Sequence, residues 1–370
     1  MKKELFFKIF SIFLLIFITI VLFELFLRVF PKILPKFGWL NENILAKKIH
    51  DCKNKQTSNN AIFGDSIVEY YGDTNLNLVS KINKKNNLKF CNYSISGASI
   101  HDYINRFLKV QNEVKIKNAL FFLYEGNDFV DFFYNSNYLN EEILIYNKTK
   151  SIDREYNFLK KIVKSTYILN FVYRNFIKRY IYSPNHINES FLSSNLKKLT
   201  KKNYQVSISL ETILNKHKNY SKKKLKLIDS GVVNSSHYFL SLYFPNYYYM
   251  LNQPDSDLFF KQKKIIYSQL NFINSKCYDL KINCKFIIIP EANFVSKKYR
   301  SEYFDFFEFD YHEKFLIKSM IVDDLLQNFD NVYYPNKLLN YDDFLKLDGH
   351  LSDSGNEIIS DFVVDIIDDD

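Results

Sequence analysis

Glycine and proline are scarce in this chain, with 8 Gly and 7 Pro among 370 residues. Its loops must therefore be built largely from Asn, Ser, Asp and Lys. No internal repeat is visible along the sequence. Hydrophobic residues make up 47% of the chain, which is enough for a large packed core. The composition therefore predicts a folded globular body rather than a disordered chain.

Several motifs of familiar enzyme classes are absent. The chain has no Gly-x-Ser-x-Gly sequence, which argues against an α/β-hydrolase. It has no His-Glu-x-x-His motif and no closely spaced histidine pair, which argues against a metalloenzyme. Its four cysteines form no Cys-x-x-Cys pair, so a zinc site is not expected. We therefore expect neither a metal nor another cofactor.

The four cysteines leave two oxidation states open. Cys277 and Cys284 lie on either side of a predicted helix-to-strand turn, and Cys52 and Cys91 flank the first predicted βα unit. These residues can form disulfides, which fits an oxidising compartment, or remain buried thiols.

Positive charge is concentrated in one segment. The formal net charge is +9, and residues 194–228 contain ten lysines against one acid, Glu211. Without these eleven residues, the 50 basic and 41 acidic residues of the chain become 40 of each. No zinc-finger, basic-zipper or RNA-recognition signature accompanies the segment, so we expect no nucleic-acid partner. A solvated helical face is the simplest interpretation, and contact with anionic lipid headgroups or an acidic glycan stays open.

The amino terminus predicts a membrane anchor. Residues 9–23 form a charge-free apolar core, preceded by Lys2, Lys3 and Lys8, which favour a cytoplasmic amino terminus. The residues after this core are not the small ones that signal peptidase requires, so an uncleaved anchor is favoured over a signal peptide. We expect a transmembrane helix within residues 1–30, a tether over 31–59 and the rest outside the cytoplasm. In a Gram-negative cell that compartment is the periplasm.

Strand and helix patterns alternate from residue 60 onward, which predicts βαβ units and a parallel sheet with right-handed crossovers. Predicted strands cover residues 60–64, 88–95, 119–124, 284–290 and 331–334. Predicted helices cover residues 76–82, 100–110, 259–279 and 314–328, and a last one begins near residue 354. Residues 135–256 interrupt this alternation, and we predict that they form an inserted cap with helices of its own, one of them at 152–182. The catalytic domain would thus span residues 60–370.

Four short motifs follow predicted strands. Gly64-Asp65-Ser66, Ser96-Gly97 and Gly126-Asn127-Asp128 end the first three, and Asp348-Gly349-His350 follows the last. Ligands of open α/β sheets bind outside the carboxyl ends of the strands, so these motifs should converge on one crevice.

The residue types in these motifs are those of a serine nucleophile site. A serine hydroxyl attacks an ester only when a histidine takes its proton and a carboxylate orients that histidine. Ser66, His350 and Asp348 would supply these groups. The backbone N–H groups of Ser66 and Gly97 and the side-chain amide of Asn127 would stabilise the oxyanion.

These motifs resemble the SGNH/GDSL hydrolase family in their order and spacing. Ser66 in FGDSIVE matches the family's nucleophile block, Gly97 in SISGAS the second block and Asn127 in EGND the third. His350 in LDGHLSDSG matches the last block. The resemblance covers residues 60–127 and 284–364. It implies a flavodoxin-like α/β/α sandwich, normally metal-free, in which serine is the nucleophile and histidine the base.

Two positions depart from the family's usual pattern. Gly126 stands directly before Asn127, whereas the third block usually reads Gly-x-Asn-Asp. The family's aspartate usually stands three positions before the histidine, where this chain has Leu347, and Asp348 stands two positions before it. We expect Asp348 to orient His350 nevertheless, with Asp353 as the rival carboxylate. The remaining histidines are expected to be structural (His101) or at the surface (His50, His186, His217, His237 and His312).

The predicted activity is ester hydrolysis outside the cytoplasm, on an acylated small molecule, glycan or lipid. A carbohydrate O-acetyltransferase that uses the same triad is an alternative, because membrane-anchored relatives in the family include such enzymes. A non-catalytic, membrane-anchored binding or assembly protein on a degenerate copy of the fold is a second alternative. The presence of Ser66, Asn127 and His350 argues against it. The oligomeric state stays open.

Overall fold

The structure is a computed structural model. It describes residues 41–54, 59–69, 78–96, 98–129, 187–201, 208–230, 233, 235–245, 257–309, 320–335 and 338–368, together with Leu15, Ile18, Thr19 and Leu22. The chain divides into two compact units, residues 1–47 with 148–186 and residues 48–147 with 187–370. Nearly all described residues belong to the second unit.

A five-stranded parallel sheet forms the centre of the second unit. Its strands are β1 (Asn60–Phe63), β2 (Cys91–Asn92), β3 (Asn118–Tyr124), β4 (Asn283–Ile289) and β5 (Val332–Tyr333). They lie in the order β2-β1-β3-β4-β5, and every pair is parallel. This is the strand order of flavodoxin-like folds, whose ligands bind near the β1/β3 switch point. The predicted α/β class with a parallel sheet is confirmed.

The central strands are apolar on both faces because helices cover both faces. Phe63, Phe121 and Phe286 are register neighbours on β1, β3 and β4. Their rings stack across the sheet, with centroids 5.0 Å apart for the first pair and 5.4 Å for the second. Phe107 meets Phe63 and Phe121 edge-on at 5.8 and 5.5 Å. This buried aromatic row holds the three strands that carry the site in register.

The described helices alternate with the strands. They are α1 (Asn41–Asn54), α2 (Ser66–Glu69), α3 (Leu78–Lys85), α4 (Ile100–Glu113), α5 (Glu189–Lys201), α6 (Leu210–Asn219), α7 (Lys222–Asp229), α8 (Ser235–Tyr243), α9 (Asp257–Leu280), α10 (Ala292–Val295), α11 (Lys297–Phe307), α12 (Met320–Asn328) and α13 (Asp353–Asp368). Helix α3 packs against α13, and α4 packs against α9. Right-handed crossovers place these two pairs on opposite faces of the sheet, which gives three layers.

The strands β2 and β5 are shorter than the sequence predicts. The prediction for β2 covers residues 88–95, whereas only Cys91 and Asn92 are in regular register with β1. Beyond them, Tyr93 N and Ile95 N still donate to Ile62 O and Gly64 O, at 2.8 and 3.1 Å. The N–H groups of Phe90 and Ser94 are bound by side chains instead, at 2.7 Å by Asn83 Oδ1 and at 2.9 Å by Asn92 Oδ1. β2 is the edge strand of the sheet, so it pairs with β1 on one side only and no second strand stabilises a longer pairing.

The structure describes only part of the amino-terminal region for which predictions were made. The predicted tether, residues 31–59, contains the 14-residue helix α1, which the sequence analysis did not predict. A disulfide joins Cys52 on this helix to Cys91 on β2. The predicted transmembrane helix, residues 1–30, lies outside the described residues except for Leu15, Ile18, Thr19 and Leu22, which are helical. Within the described part of the chain, no helix combines the length and apolar character needed to cross a membrane.

The described part of the predicted cap is helical. Residues 187–245 contain α5 to α8, and α8 packs against α11. The predicted helix at 152–182 and the rest of residues 130–186 lie outside the described residues. A cap over residues 135–256 therefore stays a prediction.

Candidate active site

Ser66 stands at the carboxyl end of β1, as the first residue of α2. The turn requires Gly64, because a Cβ there would lie 2.8 Å from Val68 Cγ2 and 3.3 Å from both Phe122 Cβ and Ser94 Oγ. The chain can therefore bend tightly from strand to helix only with glycine at this position. The bend brings Ser66 to the edge of the sheet, where its side chain is partly exposed.

Asp65 connects the serine turn to the asparagine turn. It is 1% exposed, and its two oxygens accept hydrogen bonds from Ile67 N and Asn127 Nδ2, both at 2.9 Å. Burial raises the pKa of Asp65, while the hydrogen bond from Asn127 opposes that rise. Asn127 carries two amide N–H bonds on Nδ2, and Asp65 accepts one of them. The second remains for an oxyanion bound beside Ser66.

The turn after β3 is fixed by the buried carboxylate of Asp128. Its Oδ2 accepts hydrogen bonds from Tyr124 N at 2.8 Å and from the Tyr103 hydroxyl at 2.9 Å. Asp128 N in turn donates to Tyr124 O at 2.9 Å. Since Tyr103 lies on α4, the carboxylate ties the turn to a neighbouring helix. Asn127 is therefore held by its side-chain bond to Asp65 and by the contacts of its neighbour Asp128.

His350 lies between Ser66 and Asp348. Its Nε2 is 3.0 Å from Ser66 Oγ, and its Nδ1 is 3.2 Å from Asp348 Oδ1. The imidazole is 21% exposed and the Asp348 side chain 29% exposed, so the pair is open to solvent. Burial lowers the pKa of His350. The hydrogen bond and charge of Asp348, together with the charge of Asp65, raise the pKa by more than burial lowers it, so the pKa lies above the ordinary value for histidine. A base of this kind is strong enough to take the serine proton.

The rival carboxylate is engaged elsewhere. Asp353 Oδ1 pairs with Lys81 Nζ at 2.9 Å, at the start of α13. The structure thus places Asp348, rather than Asp353, on the imidazole.

Glu291 is a buried carboxyl group at the same edge of the sheet, just after β4. Its Oε1 accepts a hydrogen bond from Asn293 Nδ2 at 2.7 Å, and its Oε2 accepts one from the Tyr124 hydroxyl. A Cβ on Gly126 would lie 2.2 Å from Glu291 Oε2, and one on Gly349 would lie 3.9 Å from Oε1. The carboxyl group therefore lies between the turn at residues 126–128, which carries Asn127, and the loop at residues 345–350, which carries His350. Burial raises its pKa to about 7, although its hydrogen bonds and His350 lower it.

The surface prediction for His237 is wrong. Its Nδ1 is buried and has no hydrogen-bond partner among the described residues. The ring packs edge-on against Tyr303 and Phe307 of α11, with centroids 5.4 and 5.7 Å apart. Burial lowers the pKa of His237 to about 4, while the charge of Asp348 raises it and that of His350 lowers it. Helix α8 of the predicted cap thus brings a neutral imidazole within electrostatic range of the Asp348–His350 pair.

Of the predicted site residues, the structure brings together Ser66, Asn127, Asp348 and His350, and Gly97 lies outside the described residues. The residues beside Gly97 are held near the serine helix. Ser96 N donates to the Glu69 carboxylate, and Glu69 also pairs with Lys48 Nζ at 2.8 Å.

The sequence interpretation missed Asp65, Glu291 and Tyr299 as parts of this site. The hydroxyl of Tyr299 accepts hydrogen bonds from Asp348 N and Gly349 N, beside His350. Asp65 belongs to the recognised Gly-Asp-Ser turn, and Glu291 follows a predicted strand in the same way as the other motifs. The position after the fourth strand was therefore a usable signal for Glu291. Tyr299 lies inside a helix, and nothing in the local sequence distinguishes it from the other 27 tyrosines of the chain.

Comparison with known proteins supports one family. The family model described as GDSL-like Lipase/Acylhydrolase matches residues 57–243, about half of the chain. No curated protein and no solved structure matches the chain. The matched region contains Ser66, Gly97 and Asn127 and ends before Glu291 and His350. In the fold, His350 lies beside Ser66 and Glu291 lies beside Gly126, so both later residues are next to the matched region.

Proposed function

The chain belongs to the GDSL-like lipase/acylhydrolase family, and from this premise we propose that it is a serine ester hydrolase with Ser66 as its nucleophile. The observation that carries the proposal is the line of hydrogen bonds from Ser66 through His350 to Asp348, at 3.0 and 3.2 Å. A serine, a histidine and a carboxylate in this order form the machinery of acyl transfer on many unrelated folds.

Acylation is the first half of the reaction. His350 Nε2 takes the proton from Ser66 Oγ as that oxygen bonds to the ester carbonyl carbon. The negative charge that develops on the carbonyl oxygen is stabilised by the free amide N–H of Asn127 and the backbone N–H of Ser66. The imidazolium is stabilised by Asp348. His350 then returns the proton to the leaving alkoxide as the ester C–O bond breaks, and the acyl group remains on Ser66.

Deacylation repeats these steps with water as the nucleophile. His350 takes a proton from water, whose oxygen attacks the acyl carbon, and the same N–H groups stabilise the second oxyanion. When the bond to Ser66 Oγ breaks, His350 returns the proton to that oxygen. The products are a carboxylic acid and an alcohol, and the enzyme is regenerated.

The proposed setting is the outer side of the cytoplasmic membrane. Two disulfides, Cys52–Cys91 and Cys277–Cys284, suit an oxidising compartment. The helical residues Leu15, Ile18 and Leu22 expose apolar side chains, which suits a membrane anchor. We propose an O-acylated carbohydrate or a lipid as the substrate, because an anchored domain meets both at the membrane surface.

The direct test is active-site labelling. Wild-type protein should react with a fluorophosphonate probe and hydrolyse a short p-nitrophenyl ester. Ser66→Ala should lose the label and lower kcat by about 10⁴- to 10⁶-fold, because it removes the nucleophile. The matched control is Ser301→Ala, which changes an exposed serine on α11 and should leave both readouts intact.

Two results would refute the proposal. One is labelling that persists in a well-folded Ser66→Ala protein. The other is ester hydrolysis by that variant at the wild-type rate. Loss of signal counts only if the circular dichroism spectrum and Tm of the variant match those of wild type.

A further inference from the structure

The segment that carries Asp348 and His350 is a tight loop with unusual backbone geometry. Leu345 N donates to His350 O at 2.7 Å, which closes the loop at its two ends. Leu347 has φ 56° and Gly349 has φ 78°, both in the left-handed region. For a leucine this conformation costs about 1 kcal/mol or more, so contacts from outside the loop must stabilise it.

The hydroxyl of Tyr299 supplies such contacts. It accepts hydrogen bonds from Gly349 N at 2.8 Å and from Asp348 N at 3.1 Å, and it donates one to Leu345 O at 2.9 Å. A phenolic hydroxyl has one donor and two acceptor positions, so all three are used on this loop. Asp348 N also lies 3.2 Å from Leu345 O, within the turn itself.

Tyr299 is itself held rigidly. It lies in the first turn of α11, and its side chain is 3% exposed. Its ring stacks on Tyr303 one turn later, with centroids 6.1 Å apart, and contacts Tyr341 and Phe344 at 6.0 and 6.1 Å. Burial, reinforced by the nearby carboxyl of Glu291, raises the pKa of Tyr299 well above its usual range, so the hydroxyl keeps the proton that it donates.

These contacts matter because Asp348 and His350 are only two residues apart. In this loop the backbone between them turns sharply, with Gly349 at φ 78°. The residue that turns is Gly349, and its N–H is bound by Tyr299. Without this anchor the turn would lose two of the hydrogen bonds that fix the backbone between Asp348 and the imidazole, which are joined by a hydrogen bond of 3.2 Å.

We propose that the Tyr299 hydroxyl is a positioning group that holds Asp348 on His350 by fixing the backbone between them. This inference rests on the proposed function, since it assigns a role in that reaction. All three hydrogen bonds of the Tyr299 hydroxyl are to the backbone of residues 345–349, so it acts through the loop.

The test is Tyr299→Phe in the full chain, which removes one oxygen atom. The expected result is a fall in kcat of about 10- to 100-fold with an unchanged KM, because the base is misplaced while the rest of the crevice is intact. The acidic limb of the kcat/KM profile should also move to lower pH. Asp348 raises the pKa of His350, so a carboxylate that has moved away leaves a histidine that loses its proton at lower pH.

A matched control and a double variant separate positioning from simple stability. Tyr341→Phe removes the hydroxyl of the neighbouring tyrosine, which donates to Glu302 Oε2 at 2.7 Å, and should leave kcat and the pH profile unchanged. The double variant Tyr299→Phe/Asp348→Asn should be no slower than Asp348→Asn alone, because both act through the same contact. If Tyr299→Phe does not fold, p-aminophenylalanine at position 299 keeps the ring and a donor but is a poor acceptor, and the same loss of kcat is expected.

The outcomes distinguish this inference from the proposed function. Ser66-dependent turnover in wild type, combined with a normal kcat and pH profile in Tyr299→Phe, overturns the role of Tyr299 and leaves the hydrolase proposal standing. A lower Tm with unchanged kcat has the same meaning, because it shows a structural role alone. If wild type has no Ser66-dependent turnover, both proposals fail.

Discussion

Replacement of Glu291 by glutamine should stabilise the protein above neutral pH. The carboxyl is 2% exposed, and burial raises its pKa from 4.5 to about 7. The folded state therefore holds this proton more tightly than the unfolded state does. The resulting stability is fully present below pH 4.5 and is lost as the pH rises through about 7. Above that pH the protein must carry a buried negative charge.

The magnitude follows from the same numbers. A pKa raised from 4.5 to about 7 corresponds to about 3 kcal/mol of unfolding free energy across that pH range. Glutamine has the shape of the neutral acid and cannot ionise. Its oxygen can still accept from Asn293, and the Tyr124 hydroxyl can accept from its amide while turning its proton towards Gly349 O, 3.5 Å away. Glu291→Gln should therefore match wild type near pH 4.5 and exceed it by about 3 kcal/mol at pH 8.

The assay is urea unfolding of wild type and Glu291→Gln at pH 4.5, 6 and 8. Glu189→Gln, at an exposed position on α5, is the control for a loss of charge alone. A difference between Glu291→Gln and wild type that does not grow with pH would refute the reasoning. A variant less stable than wild type at pH 8 would show that the ionised carboxylate is needed at this position.

Three further outcomes are expected. Asp348→Asn should lower kcat by about 10⁴-fold in a folded protein, whereas Asp353→Asn should leave kcat near the wild-type value. Equal losses of kcat in steady-state assays of the two variants would contradict the assignment of Asp348 as the orienting carboxylate. Replacement of both Cys52 and Cys91 by serine should lower stability by about 4 kcal/mol in chemical unfolding, because their disulfide spans 39 residues, and unchanged stability would count against the bond. An activated acetyl ester should yield free acetate rather than acetylated sugar when oligosaccharides are added, and an acetylated product that disappears in Ser66→Ala would instead favour transfer.

The fold class could be predicted because its signals are local. Buried parallel strands show continuous apolar runs such as residues 119–124 and 286–289, and the intervening helices have their own period. Once the sheet is parallel, residues that directly follow its strands must share one edge. That geometric rule is why Ser66 and Asn127 could be assigned to one crevice before the fold was known.

The boundaries of elements were less predictable where tertiary contacts replaced local pattern. The edge strand β2 has only two residues in regular register, and the N–H groups of Phe90 and Ser94 on its unpaired side are bound by the side chains of Asn83 and Asn92. Helix α1 formed within the predicted tether, and its second half has the buried side chain of Ile49 and the disulfide from Cys52 to Cys91. The side-chain contacts have no signature in the surrounding sequence, and the cysteines by themselves left disulfides and buried thiols both open.

The sequence by itself determined the candidate residues of the proposed reaction, because a nucleophile, a base and an oxyanion donor must be specific residue types at the ends of specific strands. Only the tertiary structure decided how these groups are oriented. The Asp65–Asn127 bond joins residues 62 positions apart, and Tyr299 reaches the histidine loop from 50 positions away. Such contacts depend on how whole elements pack, and packing leaves no periodic pattern around the individual residues that it brings together.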